Sequence, residues 1–89
     1  MAQIKFFTLT EEWTEFGDII EDTPQNNKLY YIQNRGNDYF IACEGDSEPE
    51  NEYGIIVPPR SVVKYEAGDQ NLYLKAKSGT CAINVSMEG

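Results

Sequence analysis

Along residues 71–77, Leu72, Leu74 and Ala76 alternate with Tyr73, Lys75 and Lys77. Along residues 80–87, Cys81, Ile83, Val85 and Met87 alternate with Ala82, Asn84 and Ser86. Successive side chains of a strand point to opposite faces, so this alternation predicts two half-buried strands. Ser78-Gly79 between them reads as a two-residue hairpin turn, with Gly supplying the positive φ. In that register Ala76 faces Cys81, Leu74 faces Ile83, Leu72 faces Val85, and Tyr73 sits across from Asn84. Each pair on the inner face is apolar, and a slip of one residue destroys the match.

The same reading predicts a second hairpin. Residues 28–33 and 38–43 flank the turn-rich Asn34-Arg35-Gly36-Asn37. With Arg35-Gly36 as the loop, Tyr31 meets Phe40 and Leu29 meets Ala42. On the other face Ile32 meets Tyr39 and Tyr30 meets Ile41. Strands apolar on both faces are buried on both. One face is therefore expected in the core, and the other under a neighbouring strand, the N-terminal segment or a second subunit. Tyr30, Ile32, Tyr39 and Ile41 become candidate interface residues, with Trp13 and Phe16 from the N-terminal segment.

Tyr53-Gly54-Ile55-Ile56-Val57 and Ser61-Val62-Val63-Lys64-Tyr65 are separated by Pro58-Pro59-Arg60, which breaks the run into two strands meeting at a corner. Residues 67–70 supply the next turn, and residues 3–8 read as a strand of mixed character. Between residues 10 and 20 two readings compete. Thr10 could cap a short helix with Trp13, Phe16 and Ile20 on one stripe; Gly17 weakens that helix by about 1 kcal/mol. An extended segment laid over the sheets is the favoured reading. Short strands with turn signals roughly every ten residues predict one all-β domain over residues 1–89, a small antiparallel sandwich, jelly-roll-like, with six to eight strands.

Composition adds limits. A chain of 89 residues buries only roughly 60–65% of its unfolded surface, so association of copies would add needed stability. The net charge of -8 repels phosphate backbones and anionic lipid, and the seven cations are scattered, so neither nucleic acid nor membrane is an expected partner. No secretory signal or membrane span is read in the chain, which predicts a soluble protein made in a cytoplasm. Cys43 and Cys81 both sit in strand-like runs, where free buried thiols are favoured over a single bridge.

The chemistry is limited by what is missing. There is no His, which removes imidazole bases, Ser-His and Cys-His pairs and histidine metal sites. No phosphate-cradling glycine motif occurs. Five acids fall within residues 44–52, but without EF-hand spacing and with Pro49 in the middle they read as a solvated loop. No catalytic residue, metal or cofactor is expected, and the chain is read as a non-enzyme.

Trp13-Thr14-Glu15-Phe16 precedes a strand ending in Tyr31-Ile32-Gln33-Asn34. An acidic insert with Ser47-Glu48-Pro49 follows, then Gly54-Ile55-Ile56-Val57-Pro58-Pro59, Tyr65, the strand from Asn71 to Ala76, and a closing strand through Val85. This layout, over residues 13–87, resembles small β-sandwich virion proteins of tailed bacteriophages, of the capsid-decoration, head-fibre or tail-accessory type. Arg60-Ser61 stands where that layout calls for a Gly-containing turn. The resemblance implies a structural component of the virion, commonly trimeric, that docks on a capsid or tail protein and has no catalytic residues. The alternatives are a carbohydrate-binding module using Trp13 and Tyr73 on a sheet face, and a host-takeover inhibitor whose acidic surface mimics nucleic acid.

Overall fold

The computed structural model describes residues 3–50, 54–68 and 70–87, without the side chains of Gln3 and Ile4. Among the described residues the chain forms eight strands and one short helix: β1 (Gln3–Leu9), β2 (Thr14–Glu15), α1 (Phe16–Ile20), β3 (Leu29–Asn34), β4 (Phe40–Gly45), β5 (Ile55–Val57), β6 (Val62–Glu66), β7 (Asn71–Ala76) and β8 (Cys81–Met87). They build two four-stranded sheets, in the orders β1-β8-β3-β6 and β2-β7-β4-β5. Every pairing is antiparallel. First strand pairs with last, second with seventh, third with sixth and fourth with fifth, which is the connectivity of a jelly roll.

The expected alternation is present, but neither expected hairpin is. β3 and β4 lie in different sheets, and so do β7 and β8. The apolar positions Leu72, Leu74 and Ala76 and the apolar positions Cys81, Ile83 and Val85 belong to one core, in which the two sheets meet face to face. Side-by-side pairing and face-to-face packing satisfy the same matched pattern, so the pattern alone cannot choose between them. The backbone chooses. β7 takes β4 and β2 as neighbours, with Tyr73 across from Cys43 and Glu15 instead of Asn84. β8 takes β1 and β3. The chain arches over the sandwich through Ser78-Gly79, where Gly79 does adopt a positive φ of 67° and donates its N–H to Glu11 Oε2 at 2.8 Å.

The one connection between neighbouring strands of a sheet is that from β4 to β5, which carries the acidic loop. Gly54, just before β5, takes φ 144°; a Cβ there would press on the Ala42 carbonyl oxygen, so glycine lets the two backbones close. Tyr53, expected to start this strand, and Asp69, expected in the turn after β6, lie outside the described residues, as do Asn51 and Glu52. The proline corner is as expected, with Ser61 N donating to Pro58 O at 3.1 Å. Arg60 takes φ 70°, adopting the left-handed conformation for which a glycine was expected.

Residues 10–20 combine both readings. Thr14 and Glu15 are extended against β7, and the helix starts only at Phe16, with Glu15 as its N-cap residue. Thr10 makes a local turn, its hydroxyl accepting from Glu12 N at 3.3 Å. Phe16 is fully buried between Tyr30 and Tyr65, with edge-to-face ring centroids at 5.0 and 5.4 Å.

Among the described residues a single polar or charged residue, Asn34, is counted with the buried core. Asn34 is 0% exposed, and its amide ties three connections together. Nδ2 donates to Asp38 O at 2.9 Å and to Val57 O at 2.8 Å. Oδ1 accepts from Gly36 N at 2.8 Å and from Cys81 Sγ at 3.2 Å. Its backbone reaches the proline corner in both directions, through Ser61 O and Arg60 N.

Candidate assembly surface

Three of the six candidate interface residues are core residues. Phe16, Tyr30 and Ile32 are at most 3% exposed and belong to the main hydrophobic cluster, so no partner reaches them while the fold is intact. The expectation followed from the hairpin reading, which put Tyr30 and Ile32 on one ribbon face with Tyr39 and Ile41. With β3 and β4 in opposite sheets, Tyr30 and Ile32 turn inward. Ile41 points away from the core on the other sheet, yet it is also buried, between its cross-strand neighbours Lys75 and Ile56. Tyr39 and Trp13 are half-buried. Trp13 lies beside β7 with Lys75 Nζ 5.6 Å from its ring centroid, and Tyr73 is only 8% exposed. Stacking on a sugar requires an open ring face, which Tyr73 does not offer.

The exposed apolar surface lies elsewhere. Phe6, Ile55, Ile56 and Val62 are 71, 60, 59 and 50% exposed. They form two groups. Ile55 and Ile56 sit on β5, the edge of one sheet. Ile55 also lines a cleft of about 290 Å³ at the open side of the sandwich, with Val63, Tyr65 and Leu72 among its walls.

Phe6 and Val62 belong to the outer face of the other sheet. The registers place Phe6 beside Asn84, Asn84 beside Gln33 and Gln33 beside Val62. One row therefore crosses all four strands, apolar at both ends and amide in the middle. The adjoining row on one side is Ser86, Tyr31 and Lys64; on the other Thr8 pairs with Ala82. Within the strands Lys64 and Glu66 are the only charges at described outward positions of this sheet, and they are of opposite sign; Arg35 and Arg60 border the face beside Gln33, just beyond the strand ends. Sequence reading passed over this face because Phe6 was one aromatic in a mixed strand, and Asn84 and Ser86 were ordinary polar alternates. The available signal was the lack of any charge at the outward positions of residues 81–87.

Acidic groups gather at the end of the sandwich that carries α1, the β4–β5 loop and the β6–β7 turn. Asp18, Glu21 and Asp22 lie there, and Glu44, Asp46 and Glu66 line one shallow depression. Lys5 pairs with Glu21 at 2.7 Å and holds that exposed carboxyl below its usual range. Among the described residues no group of three or more Cys, Asp or Glu is placed to hold a metal ion.

The two cysteines are free and far from equivalent. Cys43 is half-buried on the outer face of β4, whereas Cys81 is 1% exposed. Burial pushes the Cys81 thiol above its ordinary 9.0 and the Tyr65 phenol, which donates to Gln70 O at 3.0 Å, above its ordinary 10.0. A group whose folded pKa is raised stabilises the fold below its unfolded pKa, and that contribution disappears as pH climbs through the folded value. Thermal stability is thus expected to fall as pH rises beyond about 9, with the tyrosine part absent in Tyr65→Phe; melting curves from neutral to alkaline pH check this. In the native chain one thiol should react with a thiol reagent, and both after unfolding.

No helix among the described residues is long and apolar enough to cross a membrane. Comparison with protein-family models, curated proteins and solved structures returns no match to this chain.

Proposed function

We propose that this protein is a non-enzymatic structural component of a phage virion, a decoration, head-fibre or tail-accessory protein that acts through protein–protein assembly. The observation that carries the reading is the outer face of the β1-β8-β3-β6 sheet: within its strands uncharged but for Lys64 and Glu66, and edged by an exposed Phe6 and Val62 in a chain of net charge -8. Exposed apolar side chains on a sheet face with no repelling charge between them suit contact with another protein surface. The jelly-roll connectivity supports the same reading, since capsid domains use it, although lectins do too.

Two separate apolar exposures suit a protein with two kinds of contact. The sheet face suits one neighbour. Ile55 and Ile56 on the β5 edge, beside the inter-sheet cleft, suit a capsid or tail protein. The acidic end stays in solvent and limits non-specific association. Mass spectrometry of gradient-purified particles tests the role. The protein is expected in stoichiometric amount with the shell or tail proteins, and its confinement to the soluble lysate would sink the reading. Calorimetric titration with host polysaccharides is expected to show no saturable heat.

A further inference from the structure

We infer that the outer face of the β1-β8-β3-β6 sheet is a self-association surface, on which a second copy of this chain packs about a twofold axis parallel to the strands. The inference deepens the assembly reading, on which it rests for the type of contact, and it names a dimer where the resemblance implied a trimer.

Charge selects the occupant. Two copies that each carry -8 repel wherever acids meet, and the acids crowd the end holding α1 and the β4–β5 loop. Within its strands this sheet face carries one Lys and one Glu among its described outward positions. These two cancel, so copies meet here without the repulsion that the acidic end would bring. A basic partner would gain nothing here and would prefer the acidic end.

The row across the sheet selects the geometry. Its order, Phe6, Asn84, Gln33, Val62, has the same chemistry read from either end. A twofold axis along the strands, passing between β8 and β3, lays the row on its own reverse. Phe6 of each copy then covers Val62 of the other, and Asn84 meets Gln33. Large meets small at each contact, which is how facing sheet layers interdigitate. An isologous contact of this kind closes at two copies and leaves no repeating edge.

Asn84 supplies an independent reason. Its Oδ1 is covered by neighbouring groups and has no hydrogen-bond partner. A buried acceptor left unpaired is unfavourable. Turning that amide outward breaks no bond at Oδ1, and Gln33 of the second copy can donate to it. The face is about 20 Å across, four strands at ~4.8 Å spacing. It covers less than the ~800 Å² per partner of a tight complex, so association is expected in the micromolar range.

Engineered thiols test this in the full chain carrying Cys43→Ser. Phe6 and Val62 of one copy are three strands apart, about 14 Å, and facing sheets stack about 10 Å apart, so neither pair lies within the ~7 Å reach of a disulfide. A mixture of Phe6→Cys and Val62→Cys chains is expected to give a covalent dimer with a short bismaleimide of roughly 8 Å span, at least about tenfold more than either chain alone. Sedimentation of the unmodified chain should show a concentration-dependent dimer, weakened about tenfold or more in Phe6→Lys. A chain that stays monomeric near 200 μM, far above a micromolar constant, overturns the proposal. So does equal cross-linking by either single variant. Neither result touches the virion role, which particle composition decides separately.

Discussion

Asn34→Ala is expected to remove about 3–5 kcal/mol of stability, lowering the melting temperature by roughly 15–30 °C. The replacement deletes an amide that is 0% exposed and serves four partners. It leaves the Asp38 and Val57 carbonyl oxygens and the Gly36 N–H without the partner that the buried amide supplied. Each orphaned group costs about 1–3 kcal/mol, and total stability for a domain of this size is only about 4–13 kcal/mol. Asn34→Asp separates hydrogen bonding from shape. It keeps the acceptor near Gly36 and Cys81 but aims a carboxylate at two carbonyl oxygens. Burial raises the pKa of such a carboxyl, so the variant binds a proton more readily when folded. Its deficit should be largest near neutral pH and shrink toward about pH 4. Chemical denaturation of both variants at the two pH values checks the prediction, and an Asn34→Ala chain within about 1 kcal/mol of the parent would show that water replaces the amide.

The role of Asn34 was not legible in the sequence, because an Asn before Arg-Gly-Asn reads as ordinary turn chemistry. Its importance comes from the long-range arrangement that brings Val57 and Cys81 to it, 23 and 47 residues away. The class of fold was legible, since alternation in residues 71–77 and 80–87 and the proline break at Pro58-Pro59 each survive in the structure. Which strands pair was not. Alternation states which side chains face the core and is silent on whether two apolar faces lie side by side or opposite. The error passed directly to the candidate surface. Placing β3 and β4 in one ribbon grouped Tyr30 and Ile32 with Tyr39 and Ile41, and drew attention from Phe6 and Val62, whose outward row exists only once β1 and β6 border the same sheet.

Phe16→Ala is expected to cost about 3–5 kcal/mol in the isolated monomer, and Phe16→Leu, which keeps an apolar filler but loses both ring contacts, about 1–3 kcal/mol. Phe16 has no exposure and sets its ring edge-on to both Tyr30 and Tyr65, whose own rings stack at 6.3 Å. Edge-to-face pairs contribute about 0.5–1.5 kcal/mol each beyond area burial. The ring also anchors α1 in the core, and with it the crossing from β2 to β3. Its loss should loosen residues 16–28 before the rest of the sandwich, visible as faster amide exchange there. If Phe16 instead met a partner, truncation would weaken association and leave the dilute monomer's denaturation midpoint unchanged. Denaturation at concentrations below the dimer range distinguishes the two. The same measurement on Phe6→Ala should give the opposite result, a nearly unaltered monomer that no longer associates, because a side chain 71% exposed has little packing to lose.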